Sequence, residues 1–264
     1  MQMVLGSWRL VDRSFRFANL SGEGMATVGL PGGTSKVVYR GDLSIPRSVR
    51  ARGWGHIGDP DSRQGYVFDC YQGPAGIGTK MFRVTTPQGE AYEYEHPLEG
   101  DERMNNSYAA VSPDGQWMLS GEWDEMRRIL MFPTPILNSA TPQKGGSVAL
   151  AGMVNLDHPV RNVQGATFVS PSRLLFATDD PDTDLWPTAR QLLQVDLPAP
   201  LDGTTTTGEV TSLGALPLQS RCRGTFEVEG IDYDAGSGDL RVAIIPPPPC
   251  KWAVTTIYRF RQET

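Results

Sequence analysis

Apolar and polar positions alternate along much of the chain, in short runs broken by turn residues. Residues 25–31 alternate, reach the turn pair Gly32-Gly33, and resume alternation over 36–43. Residues 81–87, the turn Gln88-Gly89 and residues 91–98 repeat that plan. It recurs in 128–133 with 147–152 and in 191–198 with 209–214, and 256–260 closes the chain. A period of two with bounding Gly, Pro and Asp predicts strands joined by tight turns. Before each of the last four copies lies a second pair of runs, smaller and more apolar. These are 55–58 with 65–69, 108–111 with 117–120, 165–169 with 174–177, and 230–233 with 240–244. Between them lie turns such as Ser112-Pro113-Asp114-Gly115, whose residue types favour tight reversal. Equivalent positions at 25, 81, 129, 192 and 257 are 48 to 65 residues apart.

Four strands per repeat at such a period is the plan of a β-propeller blade. The expected fold class is therefore all-β: one propeller domain over 1–264, with blades near 8–45, 52–98, 105–156, 162–218 and 226–262. The Ser112-to-Gly115 turn resembles one found in SMP-30/gluconolactonase-like and YVTN-like propellers. That resemblance extends over nearly all residues, at the level of blade plan. No WD dipeptide, kelch di-glycine or Asp-box narrows it further. The last blade lacks a fourth strand after Phe260. A strand near Trp8-Arg9-Leu10-Val11 would supply it and close the ring; an open or six-bladed ring is the alternative.

Composition agrees with a turn-rich globular chain: of 264 residues, 29 are Gly and 21 Pro, 39% are apolar and 20% charged. The net charge of −6 speaks against a nucleic-acid partner, which calls for basic surplus. No apolar run approaches the ~18 residues of a membrane span. The first residues have neither a basic nor an apolar leader segment. An extracytoplasmic protein whose signal peptide is missing from this chain is the expectation, with a cytoplasmic one as the alternative.

The propeller resemblance implies that two sets of loops share one face. One set, from each outer strand to the next inner strand, is rich in Arg: Arg47, Arg50 and Arg52, then Arg103, Arg161, Arg221 and Arg223. The other is acidic and aromatic: Glu122 and Trp123, Asp179, Asp180 and Trp186, and Trp252. Arg supplies a planar fork for a carboxylate or phosphate, and aromatic walls suit a small-ligand site. Pairing between these loops, welding neighbouring blades, is the structural alternative. Of the three cysteines, Cys222 and Cys250 fall in loops of that shared face, so the expectation is a Cys222–Cys250 disulfide. Cys70 is expected to be a packed thiol.

At the starts of inner strands, Trp54 or His56, Asn106, Gln164 and Glu229 are expected to point into a central channel. The expected ligand-binding set is then Arg52, Trp54, Arg103, Asn106, Gln164, Asp180, Trp186 and Trp252. His56 titrates near neutrality and is the candidate general base, with Glu229 as its acidic counterpart. The SMP-30 resemblance implies a divalent cation such as calcium on the axis, held by Asn106, Glu122, Asp179 and Glu229. There is no GxSxG, P-loop or GxGxxG pattern. Two function classes remain. One is an exported propeller binding a small polar or anionic ligand; the other is a metal-assisted or acid–base hydrolase, lyase or isomerase.

Overall fold

The computed structural model describes residues 3–74, 76–103 and 107–263. It is almost entirely β, built from antiparallel meanders whose strands follow chain order. Gly24–Gly29 pairs with Ser35–Arg40 in a two-stranded sheet. The next meander has His56–Ile57 and Asp61–Arg63 as its first strand in two pieces. Tyr66–Gln72, Thr79–Thr85 and Ala91–Pro97 follow. A third contains Ala110–Val111, Trp117–Ser120, Glu125–Pro133 and Gly152–Arg161. A fourth contains Val163–Ser170, Arg173–Thr178, Gln191–Asp196 and Thr206–Ala215. The outer strands of these two pair in parallel over 154–156 and 206–208, merging them into one eight-stranded sheet.

The last meander runs Glu227–Asp234, Asp239–Ile245, Val254–Gln262, and its outer strand comes from the start of the chain. Trp8–Phe17 pairs along Val254–Gln262, with Trp8 opposite Gln262 and Phe17 opposite Val254. The expected closing strand is therefore present and longer than 8–11. The segment 8–17, which the blade spacing assigned to the first repeat, belongs by pairing to the last. This closure covers an edge that would otherwise offer unpaired N–H and C=O groups.

The first strands of successive meanders touch one another in a closed circuit: Gly24–Gly29, Asp61–Arg63, Ala110–Val111, Val163–Ser170, Glu227–Asp234, and back to the first. The circuit makes the fold a β-propeller. Its hydrophobic cores lie between neighbouring sheets. Phe68, Phe82 and Val84 meet Ala109, Met118 and Phe132 in one. Tyr108, Ile129 and Met131 meet Phe168, Phe176 and Leu193 in the next. Cys70 sits in the first of these, fully buried, as expected. Both faces of such a sheet are covered, so the run 129–132 is apolar throughout rather than alternating. Burying a side chain such as Phe132 contributes about 2–3 kcal/mol.

Carboxylates fasten each sheet to the next. Asp232 accepts from the Thr27 amide at 2.8 Å and the Thr27 hydroxyl at 2.7 Å. Asp61 accepts from the Val111 amide at 2.6 Å, and Asp179 from the Val228 amide at 2.9 Å. Arg40 forks onto Asp69 at 2.6 and 3.1 Å. On the axis itself stands Asp59, fully buried. Its Oδ1 accepts from the Met25 amide at 3.1 Å and its Oδ2 from the Ile231 amide at 3.0 Å. Its own backbone bonds Ser107 and Ala109. One residue thus ties four first strands or their approaches together and fills the channel between them.

Candidate functional site

On the face of the Arg-rich and acidic loops, the axis opens into a funnel of about 430 Å³. Its wall carries Glu23, His56, Gln72, Trp123, Gln164, Glu227 and Glu229, with Ser107 and Ile245 completing it. Three of these precede first-strand glycines: Glu23-Gly24, Gln164-Gly165 and Glu229-Gly230. A Cβ on any of those glycines would lie within 2.0 to 2.4 Å of an Asp59 oxygen. Only Gly lets the strands approach Asp59 this closely, and the preceding residue then stands at the funnel wall.

The funnel concentrates carboxyl groups. Glu229 is 3% exposed, and burial first, then Glu23, Glu227 and Asp179, push its carboxyl well above the usual range. Glu23 is pushed up to about 8 by burial, with Asp42 and Glu227 adding to the shift. Asp179, just behind, is raised to about 6 by burial, although the Val228 amide and Arg190 oppose this. His56 Nδ1 lies 3.8 Å from Glu23 Oε2, and burial lowers the imidazole pKa against the pull of Asp42 and Glu227. At neutral pH the pair is therefore a protonated carboxyl beside a neutral imidazole, a proton donor next to a proton acceptor.

The residues singled out by sequence fall in several places. His56, Gln164 and Glu229 meet in the funnel. Trp54 is 3% exposed and packs with Ile45, Val49, Ile57, Tyr71 and Met81. Its indole is core, and its neighbour His56 takes the axial position. Arg52 reaches Glu93 at 2.6 Å on the flank. Arg103 donates to the Trp123 carbonyl at 2.6 Å. Asp180 is buried, accepting from the Asp182 amide at 3.1 Å and from Arg161 at 3.4 Å. Trp186 donates to the Pro159 carbonyl at 2.9 Å and stacks near His158. Trp252 is 70% exposed. Asn106 lies outside the described residues.

Of the expected cation ligands, Asp179 and Glu229 are neighbours. Glu122 stands apart, paired with the buried Lys80 at 3.3 Å. Among the described residues no group of three or more His, Cys, Asp or Glu is arranged to hold a metal ion. Arg161 forks onto Asp184 at 2.8 Å on both arms, and Arg190 holds Asp179 at 2.9 Å. Arg161 thus welds one sheet to the next, and Arg190 also reaches the Phe226 carbonyl at 3.1 Å, whereas Arg52 and Arg103 brace their own sheets. A disulfide joins Cys222 and Cys250, with Cα atoms 6.0 Å apart.

Glu23, Gln72 and Glu227 are polar funnel residues that residue type and spacing missed, and the two glutamates carry a signal. Their signal is the polar residue placed just before, or three before, a first-strand Gly. It repeats at 23–24, 164–165 and 229–230.

The site and the closed circuit define a small β-propeller with an axial funnel. No family profile matches the chain, and no curated protein matches it. Among solved structures it is similar to Kluyveromyces lactis Hsv2, with 14% identity, 60% of this chain and 47% of that one covered, and a TM-score of 0.33. It is also similar to KlAtg21 in its complex with the coiled-coil of AgAtg16, at 14% identity, 85% and 64% coverage and a TM-score of 0.40. This chain thus spans less than two thirds of the length of either.

Proposed function

We propose that the protein is an exported five-bladed propeller that binds a small polar, uncharged or cationic ligand in the axial funnel. The observation that carries this reading is the convergence of Glu23, Glu227 and Glu229 on one concave wall with His56, Gln72 and Gln164. Glu23 and Glu229, raised by burial, can donate as well as accept hydrogen bonds, as a polyol requires, and a cationic group draws them to the ionised state. An anion finds little there, because Arg52, Arg103, Arg161 and Arg190 are engaged elsewhere. The Cys222–Cys250 disulfide supports an oxidising compartment.

The test is calorimetric titration with a panel of monosaccharides, polyols, polyamines and small carboxylates. Binding by a polyol or polyamine, lost in Glu229→Gln, is expected. Binding confined to carboxylates, or indifference to Glu229→Gln, overturns the reading.

The Glu23–His56 pair favours a second reading, an acid–base hydrolase, lyase or isomerase in the same funnel. Glu23 would donate and His56 accept a proton at neutral pH. Under this reading Glu23→Gln and His56→Ala each abolish turnover while the unfolding midpoint stays within a degree or so of the parent.

A further inference from the structure

Large apolar side chains are exposed together at one corner of the loop face. Phe17 is 78% exposed, Trp252 70%, Leu43 68% and Leu20 52%. Phe17 ends the strand Trp8–Phe17, and the others lie on the helix Ala18–Ser21, the 3-10 turn Asp42–Ser44 and the 3-10 turn Cys250–Trp252, the helix touching the strand and both turns. The Ala18 amide donates to the Ala253 carbonyl at 3.3 Å, which joins the backbone next to Phe17 to the backbone next to Trp252. A Cβ at Gly41 would meet the Asn19 carbonyl oxygen at 2.8 Å, so the turn bearing Leu43 lies against the helix bearing Leu20. The Cys222–Cys250 disulfide anchors the turn of Trp252 from behind. Scattered exposed apolar residues need no explanation, but a contiguous cluster does.

The flank of this cluster is basic. Arg47, Arg50 and Lys251 are exposed in or next to these elements, in a protein whose net charge is −6, while the guanidinium of exposed Arg16 is held by the Tyr39 hydroxyl at 3.1 Å. Arg50 is drawn against the turn by a bond to the Asp42 carbonyl. Asp42 is the one exposed carboxylate among these elements. The four apolar side chains sit on turn tips and a strand end, so they project rather than line a groove. Trp, Phe and Leu ringed by Arg and Lys is the composition that settles at the boundary of headgroups and acyl chains.

We propose that this corner is a peripheral docking surface for an anionic lipid bilayer. Phe17, Leu20, Leu43 and Trp252 enter the interface, and Arg47, Arg50 and Lys251 face the phosphates. The acidic remainder of the molecule is repelled by the same surface, so attraction and repulsion together fix the orientation. A second copy of the chain would set like charges against each other at this corner. The surface adjoins the axial funnel, since Asp42 acts on Glu23 and His56, but its test does not depend on what the funnel binds.

The experiment is co-sedimentation of the whole protein with sucrose-loaded vesicles, either of phosphatidylcholine alone or mixed with phosphatidylglycerol, at low and high salt. The expected result is binding to the mixed vesicles only, weakening with salt. Phe17→Ser combined with Trp252→Ser should lower the partition coefficient by about tenfold or more. Arg47→Glu combined with Lys251→Glu should lower it by about tenfold. All four positions are exposed, so the unfolding midpoint of each variant should match the parent; circular dichroism checks this. No binding to mixed vesicles at low salt, equal binding to both vesicle types, or binding unchanged in folded variants overturns the proposal. A dimer in sedimentation velocity that Phe17→Ser with Trp252→Ser disperses assigns the corner to self-association instead, and also overturns it.

Discussion

An Asp59 carboxylate oxygen lies 2.0 Å from where a Cβ on Gly230 would stand. The same would-be Cβ meets the Gly24 Cα at 2.6 Å. Residue 230 is thus pinned between a buried acid and a neighbouring backbone. Gly230→Ala should destabilise the protein by about 3 kcal/mol or more, because neither neighbour is a flexible side-chain end. Gly238→Ala, in an open hairpin turn with nothing near it but a φ of +71°, should cost only about 1 kcal/mol. Urea unfolding of the two variants checks the contrast. Equal losses would mean that close packing on the axis is not what Gly230 provides.

Stability should fall as pH rises. Burial raises Glu23 to about 8 and Asp61 and Asp179 to about 6, and it raises Glu229 as well. Each binds its proton more tightly folded than unfolded, where carboxyls titrate near 4. Their contribution is full below about pH 4 and is lost as pH rises through the folded values, between about 4 and 8. His56, lowered by burial, acts in the opposite sense below about pH 6.5, but it is one partly exposed group. Asp184, held at about 2 by Arg161, acts only below about pH 4. The urea midpoint should therefore be higher at pH 5 than at pH 8, and Glu229→Gln should flatten that slope. A midpoint that rises toward pH 8 would contradict this account.

Lys80 is fully buried, and its ammonium donates to Glu122 at 3.3 Å and to the Arg103 carbonyl. Glu122→Ala leaves that ammonium buried without its carboxylate, at a cost of about 3 kcal/mol. Replacing both together, Lys80→Met with Glu122→Leu, should cost less than the single change, since no charge is then left behind. Denaturant melts of the three variants form the test; additive losses would show that the pair acts through packing alone.

The Cys222–Cys250 disulfide closes a loop across a separation of 28 residues. In the chain-entropy view, closing such a loop stabilises by about 3 kcal/mol. Cys222→Ser with Cys250→Ser, or reduction by thiol, should lower the thermal midpoint accordingly while leaving the far-ultraviolet spectrum β-rich. A midpoint insensitive to reductant would place this loop outside the cooperative unit.

Much of the fold is legible along the chain because a strand's environment is written in local pattern. Alternation at 81–85, continuous apolarity at 129–132 and turn chemistry at Ser112 to Gly115 each report how many faces are covered and where the chain reverses. Even the closing strand was signalled, by a last repeat lacking its fourth member. Its full extent, Trp8–Phe17, was not, since Arg13, Ser14 and Arg16 read as surface until Val254–Gln262 is alongside.

The funnel was legible only in part. His56, Gln164 and Glu229 stood out because they open first strands. Glu23 and Glu227 did not, because what makes them matter is the mutual proximity, where the ring closes, of residues some 200 positions apart. Trp54 and His56 were equivalent candidates in sequence, and the packing of the indole against Val49 and Tyr71 separated them.

The sequence by itself determined the all-β class, the repeat, the tight turns and the loop cysteines available to pair. Those properties depend on neighbours a few residues away or on recurrence of one local plan. Tertiary structure alone decided that Asp59 plugs the axis and that Arg52, Arg103 and Arg161 are spent on contacts within and between sheets. It also decided that burial raises the carboxyls of Glu23 and Glu229. Each of these rests on burial and on charges brought together from distant segments, and neither quantity exists until the ring has closed.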